Sequence, residues 1–262
     1  MPVLKEIIDA HAHLIWPTLL KQVDQVIKRA QKQGITTIIN TGIKYDDFEP
    51  CLRLGKQFPI IKNIIGIHPE EAVQPDVDVK LFKDHFRKHS EEFLALGEIG
   101  LDYLQVRDSS LRKFQEQIFR DQLDFAIEMQ KPVVIHCRWA EKHAVNILEE
   151  EKYSDLPGVL LHCFIGAEKY IARSLEHDNW YFTIPTSVYY KKINQEIAKR
   201  LPIEKIMLET DAPFLQPKPE FEVNEPQYLK FSIEKISTLK NISKDDIAEI
   251  TTHNCKSFFN LK

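Results

Sequence analysis

Residues 7–13 read IIDAHAH, which places Asp9, His11 and His13 at alternate positions behind two isoleucines. An extended backbone turns alternate side chains to one face, so these three polar groups point the same way. Four further apolar runs finish in the same manner: FLALGE at Glu98, PVVIH at His136, VLLH at His162, and KIMLETD, which passes Glu209 and reaches Asp211. Imidazoles and carboxylates this far apart in the chain meet only where a fold gathers many strand ends, as the C-terminal rim of a parallel barrel does. The expected fold is therefore α/β, a TIM (β/α)8 barrel forming a single domain over residues 1–262.

The remainder of the chain agrees with that count. Apolar, often β-branched runs fall near 7–13, 35–41, 60–67, 93–98, 132–136, 158–162, 180–184 and 204–209, which gives eight strands. Charged segments with helical spacing separate them at 18–33, 46–57, 77–90, 109–130, 140–151, 167–177 and 190–200. Such alternation predicts βαβ units and argues against an antiparallel fold. Within 109–130 the spacing predicts a buried stripe of Phe114, Ile118, Leu123 and Ile127, with Arg112, Glu116, Arg120 and Asp124 facing out. Gly34 is expected to close the first long helix, and Asp46 and Ser243 to open later ones. The proline-rich stretch 212–226 has no regular period and reads as an ordered loop over the rim.

Bulk composition sets limits. At 43% apolar residues the chain has ample material for a substantial core. A formal charge of -4 provides no global basic field for nucleic acid, although bound divalent cations would make a site locally positive. Four cysteines without a CxxC pair suit a reducing, cytoplasmic setting. The amino terminus lacks an apolar leader core, and no stretch approaches the roughly 18 apolar residues of a membrane span. A soluble protein with no obligate protein partner is expected.

The chemistry of the strand ends is that of a metal centre. His11 and His13 end an apolar strand, where an imidazole without a partner would be costly to bury. Glu98 has two oxygens and is suited to bridging the closely spaced cations of paired-metal hydrolysis. Asp102 is expected to orient a ligand or cap a loop. His136 and His162 each precede a cysteine, and strand alternation would send Cys137 and Cys163 to the opposite face as buried thiols. Asp211 suits both metal coordination and acceptance of a proton from water. His68 at the third strand end is either a substrate contact or a support for a ligand. Arg138 is either a fork for an anionic oxygen or half of a surface ion pair. His85, His89, His143, His177 and His253 fall in polar contexts and are expected to be solvated. Lys191 and Lys192, beside Tyr189 and Tyr190, read as a solvated helix start, with a small basic and aromatic strip for single-stranded nucleic acid as the alternative. No nucleophile elbow, P-loop or dinucleotide fingerprint follows a strand.

The ordered set IDAHAHL, GEIGLDY, PVVIHCR, LHCF and LETDAPFL, with NEPQYLKFSIEKIS and TTHNCKSFF near the end, resembles the TatD-like metal-dependent hydrolases of the amidohydrolase superfamily. The resemblance implies a TIM barrel with two divalent ions, Mg, Mn or Zn, and deoxyribonuclease activity of the 3′-5′ exonuclease type on DNA, at single strands or 3′ ends. It implies that His11, His13, Glu98 and Asp211 hold one ion, that Glu98, His136 and His162 hold the second, and that Asp211 orients or deprotonates the attacking water. His68 and Arg138 match positions near the substrate. The same centre would also serve ester hydrolysis, for instance of D-aminoacyl-tRNA, or persist in a scaffold without turnover. Three departures touch the rim. Ile15 and Trp16 follow Leu14 where the family often carries an aspartate, Glu70 replaces a histidine of GxHPH, and Ile165 replaces a small polar residue of HCFSG.

Overall fold

The computed structural model describes residues 6–261; the amino-terminal residues read above for a leader lie partly outside that range. Eight strands appear: β1 (Ile7–Ala12), β2 (Ile35–Gly42), β3 (Ile61–Ile65), β4 (Phe93–Asp102), β5 (Val133–Arg138), β6 (Val159–Leu161), β7 (Trp180–Pro185) and β8 (Ile206–Glu209). They form one sheet ordered β1 to β8 as in the sequence. The helices between and after them are α1 (Pro17–Leu20), α2 (Val23–Lys32), α3 (Phe48–Gln57), α4 (Pro69–Ala72), α5 (Val79–Lys88), α6 (Ser109–Glu128), α7 (Glu141–Leu148), α8 (Glu168–Ser174), α9 (Lys192–Arg200), α10 (Leu229–Lys240) and α11 (Lys244–Phe259). This is the element order of a (β/α)8 barrel.

The chain divides into two compact units. The first runs up to Thr41, takes in Leu54–Lys62 and resumes at Phe182. In it β7 pairs in parallel with β8, from Phe182 opposite Ile206 to Pro185 opposite Glu209, and β1 pairs in parallel with β2. β8 is joined to β1 through the parallel bridge of Ala12 with Ala212. Asp211 N–H donates to the His11 carbonyl at 2.9 Å and His13 N–H to the Ala212 carbonyl at 2.7 Å. Residues just past the end of β8 thus pair with β1 and its continuation and lie alongside the histidines.

The second unit comprises Gly42–Arg53 and Asn63–Tyr181. Its long ladder joins β4 to β5, from Leu96 opposite Val133 to Asp102 opposite Arg138, and β5 pairs with β6. Gly100 permits the close approach of β4 to β5: its φ is +143°, and a Cβ there would lie 2.0 Å from the His136 carbonyl oxygen. Phe48, Phe82, Phe86, Phe93 and Phe125 are fully buried in this unit and pack ring against ring, with centroids 5.4 Å apart for Phe48 and Phe93 and 5.6 Å for Phe86 and Phe125.

Several expectations need correction. The 18–33 helix is broken into α1 and α2 around Lys21 and Gln22, although Gly34 closes it as expected with φ +86°. In α6 the buried face is Gln115, Ile118, Phe119, Gln122, Leu123, Phe125 and Ala126, whereas Phe114 is 42% exposed and Ile127 only half-buried. The two glutamines displace the stripe because their amides bond backbone groups inside the fold. Gln122 bonds both the N–H and carbonyl of Ile67, at 2.7 and 3.0 Å, and Gln115 bonds Asp102 N–H and the Pro69 carbonyl, each at 3.0 Å. Ser243 opens α11 as expected. Asp46 lies within a 3-10 turn preceding α3, and it is Asp47 that accepts a backbone bond there, from Ile43.

Candidate metal-binding site

In the first unit, His11 is the fifth residue of β1, His13 follows its end, and Asp211 stands two residues past β8 with φ +55°. His11 is wholly buried, and His13 and Asp211 nearly so. The two Nε2 atoms are 3.2 Å apart. Asp211 Oδ1 is 3.3 Å from His13 Nε2 and 3.8 Å from His11 Nε2. Three ligand atoms each about 2.0–2.2 Å from one cation are separated by distances of this order.

Thr41 stands behind both rings. Its carbonyl lies 3.2 Å from His13 Nδ1, and its hydroxyl lies 3.4 Å from His11 Nδ1. With each Nδ1–H directed at Thr41, both rings turn an Nε2 lone pair toward the same point, an arrangement that favours a cation between them. Asp9, which the alternation put on the same face, instead ties strand ends together. It accepts from Thr210 N–H at 2.9 Å, Thr210 Oγ1–H at 2.6 Å and, more weakly, His11 N–H at 3.4 Å. Burial pushes its carboxyl up to about 8 against the pull of those bonds.

The loop after Asp211 is ordered from within. Asn224 is fully buried, and its amide donates to the Thr210 carbonyl at 2.7 Å, the Phe214 carbonyl at 2.6 Å and Thr186 Oγ1 at 2.8 Å. Phe214 N–H returns to the Asp211 carbonyl at 2.8 Å, and Trp16 N–H makes the equivalent turn to His13 at 3.0 Å. The two aromatic rings meet edge to face 5.2 Å apart. The expected ordered loop is therefore present, and its anchors start at His13 and Asp211.

In the second unit, Glu98 lies within β4, His136 within β5 and His162 just past β6. Glu98 Oε1 is 2.5 Å from His136 Nδ1, 3.6 Å from His162 Nε2 and 3.7 Å from His68 Nε2. His68 caps the short helix α4 by accepting Glu70 N–H on Nδ1, and its Nε2 is 3.3 Å from His136 Nδ1. The other His136 nitrogen, Nε2, is 2.9 Å from Asp102 Oδ2. Burial disfavours charge on this ring, yet the neighbouring Glu98 carboxylate and the bonds to Asp102 and Glu98 push His136 up to about 9. Asp102 is also buried, and the bonds from His136 and from Gln105 N–H more than offset that, holding its carboxyl below the usual range. Two buried carboxylates among three imidazoles are donors that suit a divalent cation.

The structure therefore brings His11, His13 and Asp211 together in one unit and His68, Glu98, His136 and His162 in the other. Arg138 is exposed and forms no ion pair among the described residues. Cys137 is buried as expected, whereas Cys163 is half-buried because β6 ends at Leu161 and strand alternation no longer governs it. Four histidines expected in solvent have ring or hydrogen-bond partners: His85 packs on Phe48 at 4.6 Å and meets His89 at 4.9 Å, His177 stacks on Trp180 at 4.3 Å, and His143 bonds the Tyr103 hydroxyl. Thr41, Thr210 and Asn224 escaped the sequence reading. Each stood beside a signal: Asn40 and Thr41 end an apolar run just as the candidate ligands do, Thr210 lies within LETDAPFL, and Asn224 opens NEPQYLKFSIEKIS.

Buried imidazoles and carboxylates at the C-terminal ends of parallel strands define a metal-dependent hydrolase on a (β/α)8 scaffold. The chain belongs to the TatD family: the model for TatD-related DNases matches residues 8–260. It is 33% identical to an uncharacterized metal-dependent hydrolase, YabD, of Bacillus subtilis (strain 168), over 97% of this chain and 98% of that one. It is 30% identical to the 3′-5′ ssDNA/RNA exonuclease TatD of Salmonella typhimurium, over 97% and 98%. It is 29% identical to the human deoxyribonuclease TATDN3, over 97% and 94%. Among solved structures, YJJV, a TatD homologue of Escherichia coli, superposes with a TM-score of 0.87 at 23% identity, covering 98% of each chain, and so shares the TIM-barrel fold. No helix among the described residues is long and apolar enough to cross a membrane.

Proposed function

We propose that this protein is a deoxyribonuclease that removes nucleotides from the 3′ ends of single-stranded DNA, using two divalent ions. The observation that carries the metal is the pair of His11 and His13 Nε2 atoms, 3.2 Å apart, each ring held from behind by Thr41. The names of the Salmonella and human relatives support the choice of nucleic acid. We assign one ion to His11, His13 and Asp211 and one to Glu98, His136 and His162, in a single catalytic domain over residues 1–262. Divalent ions there, Mg, Mn or Zn, supply Lewis acidity toward the phosphodiester and toward water near neutral pH.

The chain's own groups do the rest. Asp211, aimed by the bond from its N–H to the His11 carbonyl, accepts the proton of the attacking water. Asp102 keeps the His136 proton on Nε2, which would leave the Nδ1 lone pair to hold a cation. Arg138 and His68 hold oxygens of the phosphate. Free cysteines suit work in the cytoplasm.

The test is cleavage of an end-labelled single-stranded oligomer by metal-stripped protein resupplied with Mg, Mn or Zn, beside His136→Ala. Metal-restored shortening from the 3′ end, absent in the variant, is the expected result. Failure to cleave with all three metals overturns the nuclease reading, and release of D-amino acid from charged tRNA in its place would redirect it to ester hydrolysis.

A further inference from the structure

Trp139 directly follows the end of β5, three residues beyond His136. Its indole is 68% exposed, the highest value among the large exposed apolar side chains, and it makes no ring contact among the described residues. Its backbone is nevertheless fixed. Its φ is +57°, its N–H donates to Glu141 Oε1 at 3.2 Å, and the preceding Arg138 carbonyl accepts Tyr103 N–H at 2.8 Å. A large apolar ring set in water on a hydrogen-bonded, left-handed backbone is an arrangement that burial does not explain.

Its surroundings are specific. Trp139 is one wall of an open pocket of about 400 Å³ whose other walls include Tyr103, Lys142, His143 and Tyr170. Tyr103 is anchored by its hydroxyl on His143 Nδ1, while His143 Nε2 lies 3.3 Å from Glu116 Oε2. The Arg112 guanidinium lies over the Tyr103 ring at 4.4 Å. Arg138 and Lys142 are exposed, and neither forms an ion pair among the described residues.

Resting on the nuclease reading above, we propose that Trp139 is the stacking platform for one unpaired nucleobase of the substrate, with Arg138 and Lys142 taking the flanking phosphates. Flat rings set among uncommitted cations are the general means of holding single strands, because every base offers a π face whatever its identity. A duplex keeps those faces stacked inside, so the platform selects single-stranded ends and is tolerant of sequence. It also answers the net charge of -4: binding rests on local cations and stacking, without a general basic field.

The test uses the metal-loaded protein and fluorescent thymidine nonamers with phosphorothioate linkages, which slow cleavage, carrying one abasic residue at successive positions. Wild type should lose about 5- to 150-fold in affinity when the abasic residue reaches one particular position, the range for losing one stacked base. Trp139→Ala should bind the intact nonamer with a similar loss and respond equally to every abasic position, whereas Trp139→Phe should retain most of the wild-type profile. Identical profiles in wild type and Trp139→Ala overturn the platform. If wild type still cleaves an ordinary oligomer in that case, the nuclease reading survives alone. A profile that depends on Trp139 in a protein that cleaves no oligomer keeps the platform and removes the nuclease reading.

Discussion

Replacement of Asp102 by asparagine isolates the tautomer of one proposed ligand from the fold around it. The Asp102 carboxylate has two tasks: Oδ1 accepts the N–H groups of Leu104 and Gln105 at 2.9 and 2.8 Å, and Oδ2 is 2.9 Å from His136 Nε2. Asparagine retains the Oδ1 task, so the turn after β4 stays closed. At the second position it presents an amide N–H, which His136 Nε2 can accept only by giving up its own proton. The ring proton then moves to Nδ1, the nitrogen that faces Glu98 Oε1 at 2.5 Å and that we assign to the cation. Loss of such a partner lowers metal affinity by about 10- to 100-fold, or about 1.4–2.7 kcal/mol. Manganese titration followed by electron paramagnetic resonance should show one of two ions weakened by that factor in Asp102→Asn, with the other unchanged. Hydrolysis should return when metal is raised by the same factor. Two unchanged affinities, or equal weakening of both, would refute the tautomer argument, and an unfolding midpoint matching wild type would confirm that the fold did not intervene.

Three smaller perturbations follow from the same contacts. Thr210→Val removes the 2.6 Å bond to the buried Asp9 carboxyl and an acceptor for Ala212 N–H, and urea unfolding should show a loss of about 1–3 kcal/mol. Asn224→Ala leaves the Thr210 and Phe214 carbonyls without their amide donor, and turnover of a 3′-labelled oligomer should fall more than affinity for it, because the loop positions Asp211. Glu150 forms a two-pronged pair with Arg120 at 2.7 Å on both arms, and that bond holds its carboxyl below the ordinary 4.5. The pair therefore stabilises the fold above pH 4.5, and this contribution disappears as pH falls through the lowered value. Glu150→Gln should cost about 0.2–1 kcal/mol at pH 7, as expected for a solvent-screened pair, with the difference from wild type closing in acid thermal melts.

The residues most legible in the sequence were those whose chemistry leaves few substitutes. A cation needs imidazole or carboxylate, and strand periodicity turns alternate residues to one face, so His11, His13, Glu98, His136, His162 and Asp211 stood out at the ends of apolar runs. The strand centres were legible for the same reason, since β-branched runs have few other uses in a chain so rich in charged helices. Positioning groups obey no such restriction. Any donor or acceptor serves, and what selects it is a partner far away in the chain. Gln122 looks like an outward helix residue until Ile67, 55 positions earlier, is seen to need both its N–H and its carbonyl satisfied. Thr41 and Thr210 are ordinary strand-end threonines until His13 and Asp9 come within reach. Periodicity reports which side of an element a residue occupies, but not whether the group opposite it is water or an unpaired amide. Phe114 and Gln115 show the consequence: adjacent on one helix, the apolar side chain faces solvent and the polar one is buried, because Asp102 N–H and the Pro69 carbonyl required an amide where a phenyl ring had none to give.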